Sequence, residues 1–125
     1  MREQIRDRER LRHILAAIER IKRYVQGKSF EDLLANDMMY YAVVKNIEMI
    51  GEAANMLTPS FQSAHPETPW KMVKGMRNYI VHEYFQIDNT VVWDVVTHEL
   101  DLLKKQIEDY VANTDWEKWE LPFHS

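Results

Sequence analysis

The sequence contains no cysteine, which removes disulfides, thiolate zinc sites and cysteine nucleophiles together. It has only three glycines and four prolines, and no glycine-rich run of the kind that cradles phosphate. Collagen-like, low-complexity and disordered classes fall away as well, since 46% of the residues are hydrophobic. No stretch approaches the roughly eighteen consecutive apolar residues of a membrane helix. The charged opening from Met1 to Arg8 lacks the apolar run of a signal peptide, so a soluble, cytoplasmic chain with no membrane partner is expected. Nothing alternates with the period of a strand, and no internal repeat is found.

What is present is helical pattern, in a chain of 125 residues that suits one domain. Leu11, Ile14, Leu15, Ile18, Ile21 and Val25 recur at spacings of three and four, which predicts an amphipathic first helix from Ile5 to Gln26 with Gly27 as its stop. Ser29 and Asp32 have the spacing of a capping box, so a new helical turn begins at Phe30. From Asp37 to Leu57 apolar residues occupy more than one face, the mark of a central helix or of an oligomer interface; Met38 to Tyr41 are read as core or interface. Within that helix Gly51 permits close approach of a neighbour and sets Glu52 near the crossing point.

Thr58-Pro59 ends that helix, and Ser60 to Pro69 reads as a loop with one short helical turn. A third long helix is expected from Trp70 to Tyr84, and a fourth from Asn89 to Ala112, capped by Asp88, with Val91, Val92, Val95, Val96, Leu100, Leu103, Ile107 and Val111 inward. The expected fold is all-α, an antiparallel bundle of four to five helices over residues 1–112, followed by a C-terminal tail over 113–125. Trp116 and Trp119 in that tail are too apolar to remain in water if a surface is available.

The net charge of −4 argues against a protein that coats nucleic acid by electrostatics alone. The charge is unevenly placed, however. Residues 1–28 carry nine Lys or Arg against four acids, whereas residues 29–125 carry seven against sixteen. A basic face therefore survives inside an acidic whole.

Arg77-Asn78-Tyr79-Ile80-Val81-His82-Glu83-Tyr84 combines a fixed cation, an imidazole and a phenol. These groups suit RNA cleavage without a metal. Histidine takes the proton of a ribose 2′-hydroxyl or returns one to the leaving 5′-oxygen, while Arg holds phosphate oxygens and the charge that builds on them. Asn78 can donate to the same phosphate, and Lys71 and Lys74 add positive charge on the approach. On a straight helix Tyr84 shares a stripe with Arg77, but His82 lies about 140° around from it. Either the helix distorts, or a second copy completes the site across a two-fold axis and supplies one histidine as base and one as acid.

No metal or cofactor is expected. His82-Glu83 and His98-Glu99 begin a His-Glu-x-x-His pattern, but Gln86 and Leu102 stand where the second histidine belongs. His13, His65, His98 and His124 are read as surface or packing residues.

The string Gly75-Met76-Arg77-Asn78-Tyr79-Ile80-Val81-His82-Glu83-Tyr84-Phe85, with Ile50-Gly51-Glu52-Ala53-Ala54 before it and Val91-Val92-Trp93-Asp94-Val95-Val96 after it, resembles the HEPN superfamily and its HepT-like toxins. The resemblance reaches to about Ala112. It implies an all-α bundle that forms a homodimer through the motif-bearing face, and a metal-independent endoribonuclease acting on tRNA or mRNA as the toxin of a type VII-like toxin-antitoxin pair. Arg77 and His82 fall on the catalytic positions, with Asn78 and Glu52 in supporting ones. The implied partner is an MNT-type nucleotidyltransferase antitoxin that AMPylates Tyr84, putting bulk and negative charge where substrate phosphate must enter. A second reading is a non-catalytic helical binding module for such a nucleotidyltransferase.

Overall fold

A computed structural model describes residues 2–78 and 88–119. The described residues form helices and no strand: α1 Arg2–Val25, α2 Phe30–Ala35, α3 Asp37–Asn55, α4 Pro59–Ala64, α5 Trp70–Gly75, α6 Asn89–Asp94, α7 Leu100–Asn113 and α8 Trp116–Trp119, with a π-helical stretch, Val95–Glu99, between α6 and α7. The fold is an all-α bundle, as the periodicity predicts.

Several boundaries are set by side chains visible in the sequence. Gly27 ends α1 with φ of 71°, a conformation that costs glycine little. The Ser29 hydroxyl accepts from the Asp32 amide at 3.1 Å, and the Asp32 carboxylate accepts from the Ser29 amide at 2.9 Å, completing the box that starts α2. Asn36 caps α3, Thr58 caps α4 with Pro59 at its first position, and Asp88 caps α6.

Helix α1 runs antiparallel to α3. Asp7 meets Thr58 at one end, and Arg20 meets Asn46 at the other. It also runs antiparallel to α7, with Lys22 paired to Asp101 and Lys104 to Glu19 at 2.6 Å. Leu11, Ile14, Ile18 and Ile21 of α1 are fully buried against Val43, Val44, Ile47 and Ile50 of α3, each such side chain contributing about 1.5–3 kcal/mol.

Trp116 and Trp119, from the stretch set apart as a tail, are 7% and 8% exposed and belong to the same core. The Trp116 ring stacks on Phe61 with centroids 6.0 Å apart, and Trp119 meets Phe61 edge-on at 5.5 Å. The Trp119 indole donates to the buried carboxylate of Asp7 at 3.0 Å, which also accepts from the amide and hydroxyl of Thr58.

Three expectations need correction. The long helix expected from Asn89 to Ala112 is interrupted by the π stretch, where the Leu100 amide donates back to the Val95 carbonyl. Within that stretch the Thr97 hydroxyl donates to the Trp93 carbonyl at 2.8 Å, a back-bond that often accompanies a bend in a helix. Val91, expected inward, is 43% exposed, because Val92 takes the buried position. Met38 and Tyr41, read as core or interface, are 85% and 66% exposed in the chain, so the core half of that reading fails for both.

Candidate functional site

The helix expected to run unbroken from Trp70 to Tyr84 ends at Gly75. Trp70, Val73 and Met76 are buried and anchor it, and the Trp70 indole donates to the His65 carbonyl at 2.9 Å. The chain then tightens: the Met76 amide donates to Val73 at 3.1 Å and the Arg77 amide to Lys74 at 3.3 Å, three residues back instead of four. Arg77 therefore sits in a turn, not on the side of a straight helix. The helix expected to carry both Arg77 and His82 is thus interrupted before Arg77, and the angle between the two side chains lies outside the described residues.

The turn exists where α3 offers room. A Cβ placed on Gly51 would lie 2.3 Å from the Arg77 amide nitrogen and 3.0 Å from its Cα, so the Arg77 backbone occupies the space that any other residue would fill. Close approach at Gly51 was legible in the sequence; its target, the motif arginine, was not.

Glu52 follows directly, and its Oε1 stands 4.0 Å from Arg77 Nη1. The side chains are 56% and 38% exposed, so this is a loose pair whose net contribution is about 0–1 kcal/mol. That is too little to withdraw the guanidinium from a phosphate, which offers a shorter, charge-assisted contact. Glu52 stands beside Arg77 without neutralising it. Asn78 comes next and is half-buried. His82 and Tyr84 lie outside the described residues, as does residue 79 and the rest of 80–87.

The chain on both sides of that segment is tied to α3. Arg77 rests on Gly51, while the Tyr40 hydroxyl donates to the side chain of Asn89 at 2.6 Å. Burial first, then the neighbouring Tyr41 and Asp88, holds the Tyr40 phenol above its ordinary pKa, which keeps it a donor. Tyr40 and Gly51 are about 16 Å apart along the helix axis.

Beside Glu52 opens a groove of about 630 Å³ between α1 and α3, its rim formed by Arg10, His13, Arg20, Lys45, Glu48 and Glu52. Sequence reading left His13 as a surface or packing residue and the N-terminal cations as a basic face with no assigned place. The available signal was the spacing Arg10, His13, Arg20 on one stripe of α1, opposite Lys45, Glu48 and Glu52 on one stripe of α3. The remaining described histidines sit elsewhere. His65 packs between Phe61 and Tyr110, both at 4.3 Å between centroids, and His98 pairs with Asp94 at 2.9 Å on the surface.

Comparison with known proteins now bears on these positions. The family model described as Ribonuclease HepT-like matches residues 14–110, from the middle of α1 to the last turn of α7. The chain belongs to the HepT-like ribonuclease family. This HepT-like chain is 36% identical over 99 residues to a candidate RNase of Caldanaerobacter subterraneus subsp. tengcongensis, covering 79% of this chain and 88% of that one. It is 36% identical over 98 residues to a protein of Thermococcus cleftensis named "Probable ribonuclease HepT", covering 78% and 89%. A candidate RNase of Methanocaldococcus jannaschii is 32% identical over 95 residues, covering 76% and 87%. No solved structure matches the chain. The HepT-like match contains Glu52, Arg77, Asn78, His82 and Tyr84. Among the described residues no helix is long and apolar enough to cross a membrane.

Proposed function

We propose that this HepT-like chain is a metal-independent endoribonuclease, the toxin of a pair whose antitoxin is an MNT-type nucleotidyltransferase. The observation that carries it is Arg77: a guanidinium fixed at its backbone by Gly51, with Glu52 at 4.0 Å, and still partly exposed, five residues before the motif histidine.

In this reading two copies join at the motif-bearing face. The histidine at position 82 of one copy takes the proton from a ribose 2′-hydroxyl, whose oxygen attacks the adjacent phosphorus. The 5′-oxygen leaves with a proton from the histidine of the second copy, giving a 2′,3′-cyclic phosphate and a free 5′-hydroxyl. Arg77, helped by Asn78, holds the two non-bridging oxygens as charge accumulates on them. Because nothing in this set reads a base edge, tRNA and mRNA are both open to it. AMPylation of Tyr84 by the antitoxin adds a phosphate charge to the motif that carries Arg77 and repels the substrate.

The test is cleavage of purified tRNA and total RNA in excess EDTA, by unmodified protein of verified intact mass and by its His82→Ala and Arg77→Ala variants. Cleavage by the wild type that both variants lose is the expected result. Cleavage equal in all three overturns the assignment. A wild type that cuts neither RNA pool but binds the nucleotidyltransferase stably favours the binding module instead, a reading consistent with the net charge of −4.

A further inference from the structure

Resting on the ribonuclease reading, we propose that the α1–α3 groove is a binding site for the backbone of single-stranded RNA, holding the strand that flanks the phosphate at Arg77.

The cations of this groove are set out along a line. Arg10 and Arg20 are about 15 Å apart along α1, which spans a length of strand and not a single phosphate. His13 lies between them on the same rim, and Lys45 faces them from α3. The two acids of the rim are each engaged already: Glu48 by Lys45 at 2.7 Å, and Glu52 by Arg77. Neither Arg10 nor Arg20 is paired with an acid among the described residues.

Arg20 is oriented by an amide in place of a carboxylate. Its Nε donates to Oδ1 of the buried Asn46 at 2.7 Å, and Asn46 is itself locked by donating to the Ala42 carbonyl at 2.8 Å. A carboxylate there would cancel the charge, whereas the amide fixes the guanidinium and leaves its charge and its four other N–H donors for a ligand. Arg10 Nε is buried with no hydrogen-bond partner among the described residues.

The floor is apolar. Ala16 and Ala53 line it together with Met49 and Met56, which are 40% and 48% exposed. A cationic rim above a flat apolar floor suits a strand that offers phosphates on one side and base faces on the other. Glu52 connects the two places, since it lines the groove and stands 4.0 Å from Arg77. A second copy of this chain is the competing occupant, and the arginines left without an acid partner favour a polyanion.

The experiment is fluorescence anisotropy with a labelled 12-nucleotide single-stranded RNA carrying 2′-O-methyl riboses, which cannot be cut because the attacking oxygen is blocked. Full-length wild type is compared with Arg10→Ala, with His13→Glu, which sits on an exposed position, and with Lys105→Ala on the outside of α7 as a charge-matched control. Arg10→Ala is expected to weaken binding about threefold to tenfold for any sequence, and to lower the slope of log affinity against log salt by about 0.7. His13→Glu is expected to weaken it further, and Lys105→Ala to stay within about twofold. Equal losses for Arg10→Ala and Lys105→Ala overturn the proposal. So does sedimentation showing that Arg10→Ala dissociates a dimer while RNA affinity is unchanged, which makes the groove an interface between copies. Failure here is separable from failure of the ribonuclease reading: His82-dependent cleavage with no effect of Arg10→Ala or His13→Glu on RNA binding sinks the groove alone.

Discussion

The backbone of Arg77 rests on Gly51, so closely that a single methyl group on Gly51 would stand 2.3 Å from the Arg77 amide nitrogen. Because the obstructing atoms are backbone, no side-chain rotation relieves that contact. Gly51→Ala therefore costs about 1–3 kcal/mol of overpacking, offset in part by the better helix propensity of alanine, about 1 kcal/mol. A net loss of up to about 2 kcal/mol is expected in urea denaturation. RNA cleavage should fall by a larger factor than the unfolded fraction explains, since Arg77 is what moves. An unchanged denaturation midpoint together with unchanged cleavage would disprove the link.

Glu52→Gln separates a neighbouring charge from the chemistry. Stability should change by less than about 1 kcal/mol, the range of an exposed ion pair. Cleavage should drop by less than about tenfold, while Arg77→Ala drops it by about a hundredfold or more, the usual cost of losing a group that stabilises charge in the transition state. Steady-state kinetics on one RNA decide it, and equal losses in both variants would make Glu52 a direct participant.

Asp7 holds three buried or partly buried donors: the Thr58 amide at 2.9 Å, the Thr58 hydroxyl at 2.7 Å and the Trp119 indole at 3.0 Å. Asp7→Ala strands the buried Thr58 amide, at about 1–3 kcal/mol. A loss of that size is expected in chemical denaturation, with a shifted Trp emission maximum as the surroundings of Trp119 change. A loss below about 1 kcal/mol would mean that water replaces the carboxylate.

His65 makes stability depend on pH. Burial between Phe61 and Tyr110 pushes its pKa below the ordinary value of 6.5, and the nearby Glu67 opposes this only in part. The unfolded chain then binds more protons than the folded one below pH 6.5, so the contribution of His65 is fully present above 6.5 and is lost as pH falls through the folded value. Glu67 and Asp88, whose pKa values are lowered, lose theirs only below the ordinary carboxylate values of 4.5 and 3.8. Between pH 6.5 and 5 the thermal midpoint should fall in the wild type and stay flatter in His65→Gln. Parallel curves would rule His65 out.

At the opposite extreme, burial raises the Tyr110 phenol to about 12. Its neutral form is favoured by folding, so stability is retained below pH 10 and lost as pH rises from 10 through 12. Tyr110→Phe should flatten the alkaline limb of the same measurement.

Much of this architecture was open to sequence reading because it is local. The capping box of Ser29 and Asp32, the stop at Gly27 and the caps at Thr58 and Asp88 each act within a few residues, and each appears in the structure. The buried stripe of α1 follows from its period alone. What escaped depends on partners distant in sequence or leaves no mark on the periodicity. Nothing near Asp7 shows that Thr58 and Trp119 will converge on it, and the apolar pattern from Asn89 onward gives no sign of the π stretch. The site divides the same way. Arg77 is legible as a chemical group and Gly51 as a place of close approach, but only the fold brings them together and ends α5 between them.

The carboxylate of Asp7 also brings position 7 beside position 119, tying the first helix to the last described one. Contacts between stretches so distant in sequence can hold two pieces of chain together after the backbone between them is cut. The exposed turn at Gln26–Gly27–Lys28 is a natural opening, carrying one backbone bond, from Lys28 to Val25. A chain nicked there would keep α1 attached through Asp7 to the Trp119 indole, so the two fragments would stay together as one folded unit.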